Sequence, residues 1–305
     1  MNEFLRDRRV RIGIGIWLFF LVFAFLGPVI LTALGRDASD VDFDALGVGP
    51  SAQHWLGTTN TGEDVLNQLV FGAQGSVLTG ILVGLFATAI ATAVGLIGAY
   101  LGGVVDSTLN GLSNLALTVS GFPLLVVIAA YIPKVGLLGI AIVISLVSWA
   151  GGARNIRSQV LSLRKREYIV AMRMAGEKPS RLMVAEVMPH LLPVISSTAI
   201  ACFSGGVLSE AGLRFIGLGG GSVSWGTMIS EVQQAGAIAQ GQWWWFVPPG
   251  LSIVLLGMGL ALINFGIDAI ANPRLRGLDP RILRKATAAA KRIQQGEARD
   301  LGVSA

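Results

Sequence analysis

A chain of 305 residues that is 53% hydrophobic and only 13% charged, with mean hydropathy +0.67, lies outside the makeup of water-soluble domains, where about 25% of residues are charged. Composition therefore excludes a soluble enzyme and points to an all-α integral membrane protein. The net charge of +5 comes from 23 Lys and Arg against 18 Asp and Glu, and no nucleic-acid partner is expected.

Crossing the hydrocarbon core takes roughly 20 apolar residues of helix, because every backbone amide must be satisfied inside the segment. Six segments qualify: Ile12–Leu34, Val77–Leu101, Leu109–Ile132, Val135–Gly152, Leu191–Leu213 and Trp244–Ala271. Residues 1–11 precede the first span and carry Arg6, Arg8, Arg9 and Arg11. This basic start would also suit a signal peptide. The apolar run is longer than the about 7 to 15 residues of such a region, however, and no small-x-small cleavage site follows closely, which favours a retained span.

Residues 35–76 form an acidic loop with Asp37, Asp40, Asp42, Asp44, Glu63 and Asp64. On the second span Gly80, Gly84, Thr88 and Thr92 recur every fourth position, and Ala91, Gly95, Ala99 and Gly103 make a neighbouring stripe. Small residues at this spacing let helices approach closely. Gly102–Ser107 reads as a short link to the third span, and Pro133-Lys134-Val135-Gly136 as a tight turn into the fourth. Residues 77–271 form the core domain, interrupted by a basic loop at 153–190.

The fifth span is softened by Ser196, Ser197, Thr198, Ser204, Gly205, Gly206 and Ser209 and ends near Glu210. Ser197, Ser204, Ser209 and Glu210 are the candidates for a water-filled path; the alternative is that the hydroxyls bond their own helix backbone. Trp243-Trp244-Trp245 opens the sixth span, and an interfacial belt is the preferred reading over stacking on a solute. Residues 272–305 form a basic tail.

Four Lys and Arg precede the first span, eight lie between Ala153 and His190, and eight follow Ala271. Only Arg36, Lys134 and Arg214 fall on the other side. The positive-inside rule then puts both termini and the 153–190 loop in the cytoplasm and the acidic loop outside. Glu210 and Asp268 are the only ionisable residues inside the spans, which is sparse for a proton-driven pump. A passive channel would share that scarcity. Cys202, His54 and His190 offer neither a metal cluster nor a nucleophilic pair, so no catalytic or metal site is expected.

The 153–190 loop is too basic for lipid and too apolar for a plain solvated loop. Around Ile169, Met172 and Met174 it has good helix formers; Gly176 can adopt the left-handed conformation that ends a helix, and Pro179 suits the first turn of the next. A short helix, a sharp turn and a second helix could sit in a groove on another protein. A polybasic surface helix on anionic membrane lipid is the competing reading.

This segment resembles the EAA loop of bacterial ABC importer permeases, and its context is similar to the peptide and nickel group, especially the second permease of dipeptide and oligopeptide importers. The match is carried by Trp149, Ala153-Arg154, Arg157 to Arg164, Glu167-Tyr168, Ala171, Arg173, Gly176 and the exit Val187-Met188-Pro189, with His190 where Asn is usual. His54 to Thr58, Gly62, Asp64-Val65-Leu66, Phe71-Gly72-Ala73, Glu210 to Gly219, Ser224-Trp225-Gly226 and Asn272 to Arg276 extend it over most of the chain. Val170 replaces the glutamate that names the loop, Met172 its second alanine, Thr59 an aspartate and Glu63 an arginine.

The resemblance implies the type I ABC importer fold, with six transmembrane helices and a coupling helix between spans 4 and 5. It implies that Arg166, Glu167, Tyr168, Ala171, Met172, Arg173, Gly176 and Pro179 couple to an ATPase. The partners implied are a second homologous permease, two cytosolic ATPases that hold ATP and Mg, and an extracytoplasmic solute-binding protein, all at the bacterial inner or plasma membrane. The chain itself has no Gly-x-x-x-x-Gly-Lys-Ser/Thr phosphate loop, so no cofactor is expected on it. Peptides lead as cargo, with nickel or another small solute as the alternative. A secondary transporter, a channel and a membrane scaffold are the more remote classes.

Overall fold

A computed structural model describes residues 7–131, 136–219 and 222–271, with backbone alone for 268–271. The described residues form nine helices: α1 (Arg8–Ala33), α2 (Val65–Leu101), α3 (Gly103–Thr118), α4 (Gly121–Tyr131), α5 (Leu137–Leu163), α6 (Glu167–Met174), α7 (Pro179–Phe215), α8 (Trp225–Gln234) and α9 (Trp243–Ala271). No strand occurs among them beyond the isolated bridges Val41–Glu63 and Thr58–Asp64. The Pro133-Lys134-Val135 turn, the first six residues and the tail 272–305 lie outside the described residues, as does the side chain of Asp268.

Five helices, α1, α2, α5, α7 and α9, are long and apolar enough to cross a membrane. The expected third span is broken, because α3 and α4 meet at 86° rather than forming one helix over Leu109–Ile132. Pro123 supplies the reason. Its ring clashes with the carbonyl four residues back and it has no N–H to bond there. That carbonyl belongs to Val119, where the chain turns extended (φ −76, ψ 129). A second proline acts more gently on α7, where Pro189 removes the amide that would bond Ala185. The preceding Leu182–Val187 segment adopts a π-turn, with the Met188 N–H reaching Met183 O five residues back.

Helix bounds differ from the apolar runs wherever protein, not lipid, solvates the polar residues. α2 starts at Val65 rather than Val77, capped by the Asp64 carboxylate, which accepts from the amides of Leu66 (2.8 Å) and Asn67 (3.3 Å). Asn67 and Gln68 are buried in this first turn. Gly102 alone, at φ +72, separates α2 from α3, so the expected link to Ser107 is mostly helix. α5 continues past Gly152 to Leu163, burying Ala153, Ile156, Val160 and Leu163 at helical spacing. α7 begins at Pro179, well before the apolar run at Leu191.

The two small-residue stripes of α2 serve two different neighbours. A Cβ on Gly80 would meet Val207 and Phe203 of α7, and one on Gly95 would sit 2.7 Å from the Ala153 carbonyl of α5. Gly152 of α5 is held equally close against Thr198 of α7, at 2.5 Å from a built Cβ. α2, α5 and α7 thus form a tightly meshed core, while α1 packs on α9 through Gly13 and Gly259. The helix directions gather the start of α1, the α2–α3 corner, α6 and the start of α7 at one end. The 35–64 loop and α8 lie at the other.

Gly95→Leu forces a side chain into a backbone carbonyl, and overpacking of this kind costs about 1–3 kcal/mol. Thermal unfolding of the detergent-purified protein is expected to show a lower midpoint for Gly95→Leu and none for Gly15→Leu, where nothing lies within 4 Å of the added Cβ.

Candidate functional site

At one end α6 stands out from the bundle on a single apolar foot. Ile169 is fully buried among Leu163, Leu182, Val187 and Leu191, and Met172 packs partly beside it. The opposite face is exposed and itself apolar, with Val170 40% and Met174 79% accessible. α6 closes in a Schellman motif: Gly176 N–H bonds Arg173 O (3.1 Å), Glu177 N–H bonds Met172 O (3.2 Å), and Gly176 takes φ +85. Pro179 then opens α7 at its first position.

Of the residues singled out in sequence, Arg166, Glu167, Tyr168, Ala171, Arg173, Gly176 and Pro179 are exposed on this knob, and Met172 is half-buried beneath it. Tyr168 also lies near His190 of α7, with ring centroids 6.3 Å apart. His190 Nδ1 donates to the Glu186 carbonyl at 2.7 Å, so it carries the ring proton. The Arg173 guanidinium rests over the Tyr100 ring of α2, 5.4 Å from its centroid.

Between α5, α7 and α9 lies a cavity of about 590 Å³. Its polar lining is Ser148, Asn155, Ser158 and Gln159 of α5, Ser197 and Thr198 of α7, and Asn264 of α9, with no charged side chain. Asn264 Oδ1 is shielded from solvent and has no hydrogen-bond partner among the described residues. Of the four path candidates, Ser197 lines this cavity, and Ser209 lies on the same stripe of α7, which runs 197, 201, 205, 209. Ser204 instead faces a small apolar pocket against α9. Glu210 points into the bundle.

Glu210 and Arg214, one turn apart on α7, are almost wholly buried and paired at 2.7 Å. That contact lies off the N–H axis, so it is Coulombic rather than a directed hydrogen bond. Ser76 of α2 donates to Glu210 Oε2 (3.3 Å) and accepts from the Trp225 amide (3.2 Å). Arg214 donates to the Ser222 carbonyl and hydroxyl, both at 2.9 Å, and the Trp225 indole N–H donates to Leu69 O (3.1 Å). The network therefore pins the chain entering α8 onto α2 and α7. Beside it the acidic loop is clasped by His54, held between Asp64 (2.9 Å) and Asp42 (3.5 Å). Partial burial, with the Glu63 carboxylate nearby, pushes the Glu231 carboxyl up to about 6. Trp244 covers Gly57 and donates to Thr58 O (3.3 Å), and Trp245 is buried, which leaves Trp243 alone, 61% exposed, in the position of a belt residue.

Residues 80–277 match the family described as the inner membrane component of binding-protein-dependent transport systems. The chain belongs to that family. Among curated relatives, the oligopeptide transport system permease OppC of Mycobacterium tuberculosis is 31% identical over 281 residues, covering 91% of this chain and 94% of that protein. A putative peptide permease of Brucella suis is 31% identical over 275 residues, 90% of this chain and 89% of that one. The dipeptide permease DppC of Alkalihalophilus pseudofirmus is 32% identical over 232 residues, 75% of this chain and 74% of its own. The solved MetNI methionine ABC transporter, in an inward-facing conformation, shares the fold with TM-score 0.54 at 19% identity, over 68% of this chain and 95% of the matched one. The chain is accordingly a permease subunit of an ABC importer, a multi-span component of the bacterial inner membrane, with a type I importer fold.

In this permease the cavity side chains on α5 were missed in sequence, because the apolar run stopped at Gly152 and left Asn155, Ser158 and Gln159 to the loop beyond. The signal was present. Ser148, Asn155 and Gln159 fall at i, i+7 and i+11, one polar stripe on a helix.

Removing one member of a buried ion pair costs about 3–5 kcal/mol because the other charge stays uncompensated, whereas replacing both with apolar residues is far milder. Glu210→Ala should lower the unfolding midpoint of the purified permease sharply, and Glu210→Leu combined with Arg214→Met should recover much of that loss. Equal midpoints for the single and double variants would show that the pair carries no such energy.

Proposed function

We propose that this permease is one of two homologous membrane subunits of an importer for di- and oligopeptides. Two cytosolic ATPases drive it and an extracytoplasmic solute-binding protein supplies it. The observation that carries this reading is the α6 knob: an exposed apolar face of Val170 and Met174, rimmed by Arg166, Glu167 and Arg173 and rooted in the core by Ile169. Such a helix fits a groove on a soluble partner. Arg154, Arg157, Arg164, Lys165, Arg166, Arg173, Lys178 and Arg181 cluster at this end, which by the positive-inside rule is cytoplasmic, along with both termini. The acidic loop then faces the binding protein.

The names of the oligopeptide and dipeptide relatives support peptide as the cargo, and the cavity supports it too. A lining of Ser, Thr, Asn and Gln without charge can follow amide N–H and C=O groups while ignoring side-chain identity. ATP and Mg belong to the ATPases; this chain contributes movement. When the ATPases close, they shift α6, and Ile169 and Met172 carry the shift into the bundle, exchanging inward and outward openings.

Gly176 is the residue whose replacement separates the two activities. An L-residue held in the left-handed region costs about 1–2 kcal/mol, and nothing crowds the site sterically. With Gly176→Val in the reconstituted importer of two membrane subunits, two ATPases and the solute-binding protein, ATP hydrolysis should persist while uptake of a labelled dipeptide falls about tenfold, the equivalent of ~1.4 kcal/mol. Unchanged uptake sinks the coupling role of α6. Uptake of Ni²⁺ in place of peptide would replace the cargo but leave the drive intact.

A further inference from the structure

Three arginines from α5 and α6 converge on the corner between α2 and α3. Arg157 donates Nε and Nη2 to the two oxygens of Asp106, at 2.7 and 2.8 Å, a bidentate clamp from α5 to the first turn of α3. Arg164, two turns further along the same face of α5 and capping its end, donates to Ala99 O at 2.6 Å. That carbonyl is among the last four of α2, which lack partners inside the helix. Arg173 of α6 lies over Tyr100, itself 5% exposed and packed in the core. The corner they surround is Gly102 (φ +72) and Gly103 (φ +58), where the backbone reverses without a side chain.

α3 is otherwise weakly attached. Ser113 is the only residue it buries, and Val104, Leu112 and Leu115 are exposed. Leu109 lies against Gly98 of α2 and Ala116 against the core, so the corner and the Asp106–Arg157 clamp hold the start of α3 while few side chains anchor the rest. We propose that Arg157, Arg164 and Arg173 are positioning residues that transmit a displacement of α6 to the Gly102–Gly103 corner, so that the broken span α3–α4 moves whenever α6 is moved. This rests on the reading of α6 as the ATPase contact and adds the route beyond it. The Arg157–Asp106 clamp in this route is partly exposed, so it can shift without opening the α2–α5–α7 core, while the buried Ala99 and Tyr100 at the end of α2 give Arg164 and Arg173 a firm hold beside the corner.

The test uses the complete importer in vesicles, measuring peptide uptake and ATP hydrolysis side by side. Asp106→Asn keeps the shape and loses the charge; uptake per ATP should fall at least about tenfold, the size of one lost charge-assisted contact, with hydrolysis close to wild type. Tyr100→Phe should leave the ratio unchanged, because the ring face remains, and Tyr100→Leu should lower it. Spin labels at Leu115→Cys and Phe43→Cys, both exposed, should report an ATP-dependent distance change that Asp106→Asn abolishes. Wild-type coupling in both Asp106→Asn and Tyr100→Leu overturns the relay, as does a proportional fall of uptake and hydrolysis. If wild-type uptake does not depend on ATP, the reading of α6 fails instead.

Discussion

The close approach of α2 to α5 and α7 is what the remaining structure depends on. In hydrocarbon there is no hydrophobic gain from bringing apolar helices together, since lipid tails are as apolar as leucine. Attraction has to come from van der Waals contact, and that contact needs backbones near one another. Gly80, Gly95 and Gly152 allow it, each with an atom of a neighbouring helix about 2.5–2.7 Å from where a Cβ would stand. With the core fixed this way, some polar side chains within the spans bond their own helix backbone, as Thr79 and Ser145 do, and others gather at the cavity between α5, α7 and α9 or at the helix ends.

Much of this order is visible in sequence. The small-residue stripes of α2 are there at fourfold spacing, and the structure shows that each faces its own partner helix. The turn after α6 is visible as well, because Gly176 and Pro179 act through backbone geometry, which is local and does not depend on what surrounds them. The features that were not visible depend on tertiary surroundings. Asn67 and Gln68 look like loop residues to a hydropathy reading, yet they lie inside α2 because the 35–64 loop buries them. Asn155 and Gln159 look like the end of a span, yet they belong to the cavity wall. The break at Val119 is an intermediate case: Pro123 was legible, but its consequence hides inside an uninterrupted apolar run.

The candidate path shows the same division. Ser197 and Ser209 share a face of α7 that periodicity alone can identify, whereas Glu210, next to Ser209 in sequence, turns toward Ser76 and Arg214. A carboxylate near a span end reads as a possible ion site until its partner is known, and here the partner lies four residues away on the same helix. The Glu210–Arg214 pair is thus held by Ser76 and Ser222 inside the bundle, and the cavity lining carries no charged side chain.

The two ends of the permease differ in how their charges are held, and that difference bears on which end moves. At the α8 end, Glu210 and Arg214 are removed from water, so separating them would leave two bare charges in a medium of low polarity. At the α6 end, the Arg157 and Asp106 side chains keep 29% and 17% of their exposure. Water can solvate either group as it leaves, so the barrier to rearrangement is lower. At the α8 end the buried pair is further tied to α2 and to the chain entering α8 through Ser76, Ser222 and the Trp225 amide, so rearrangement there has more to break than at the α6 end.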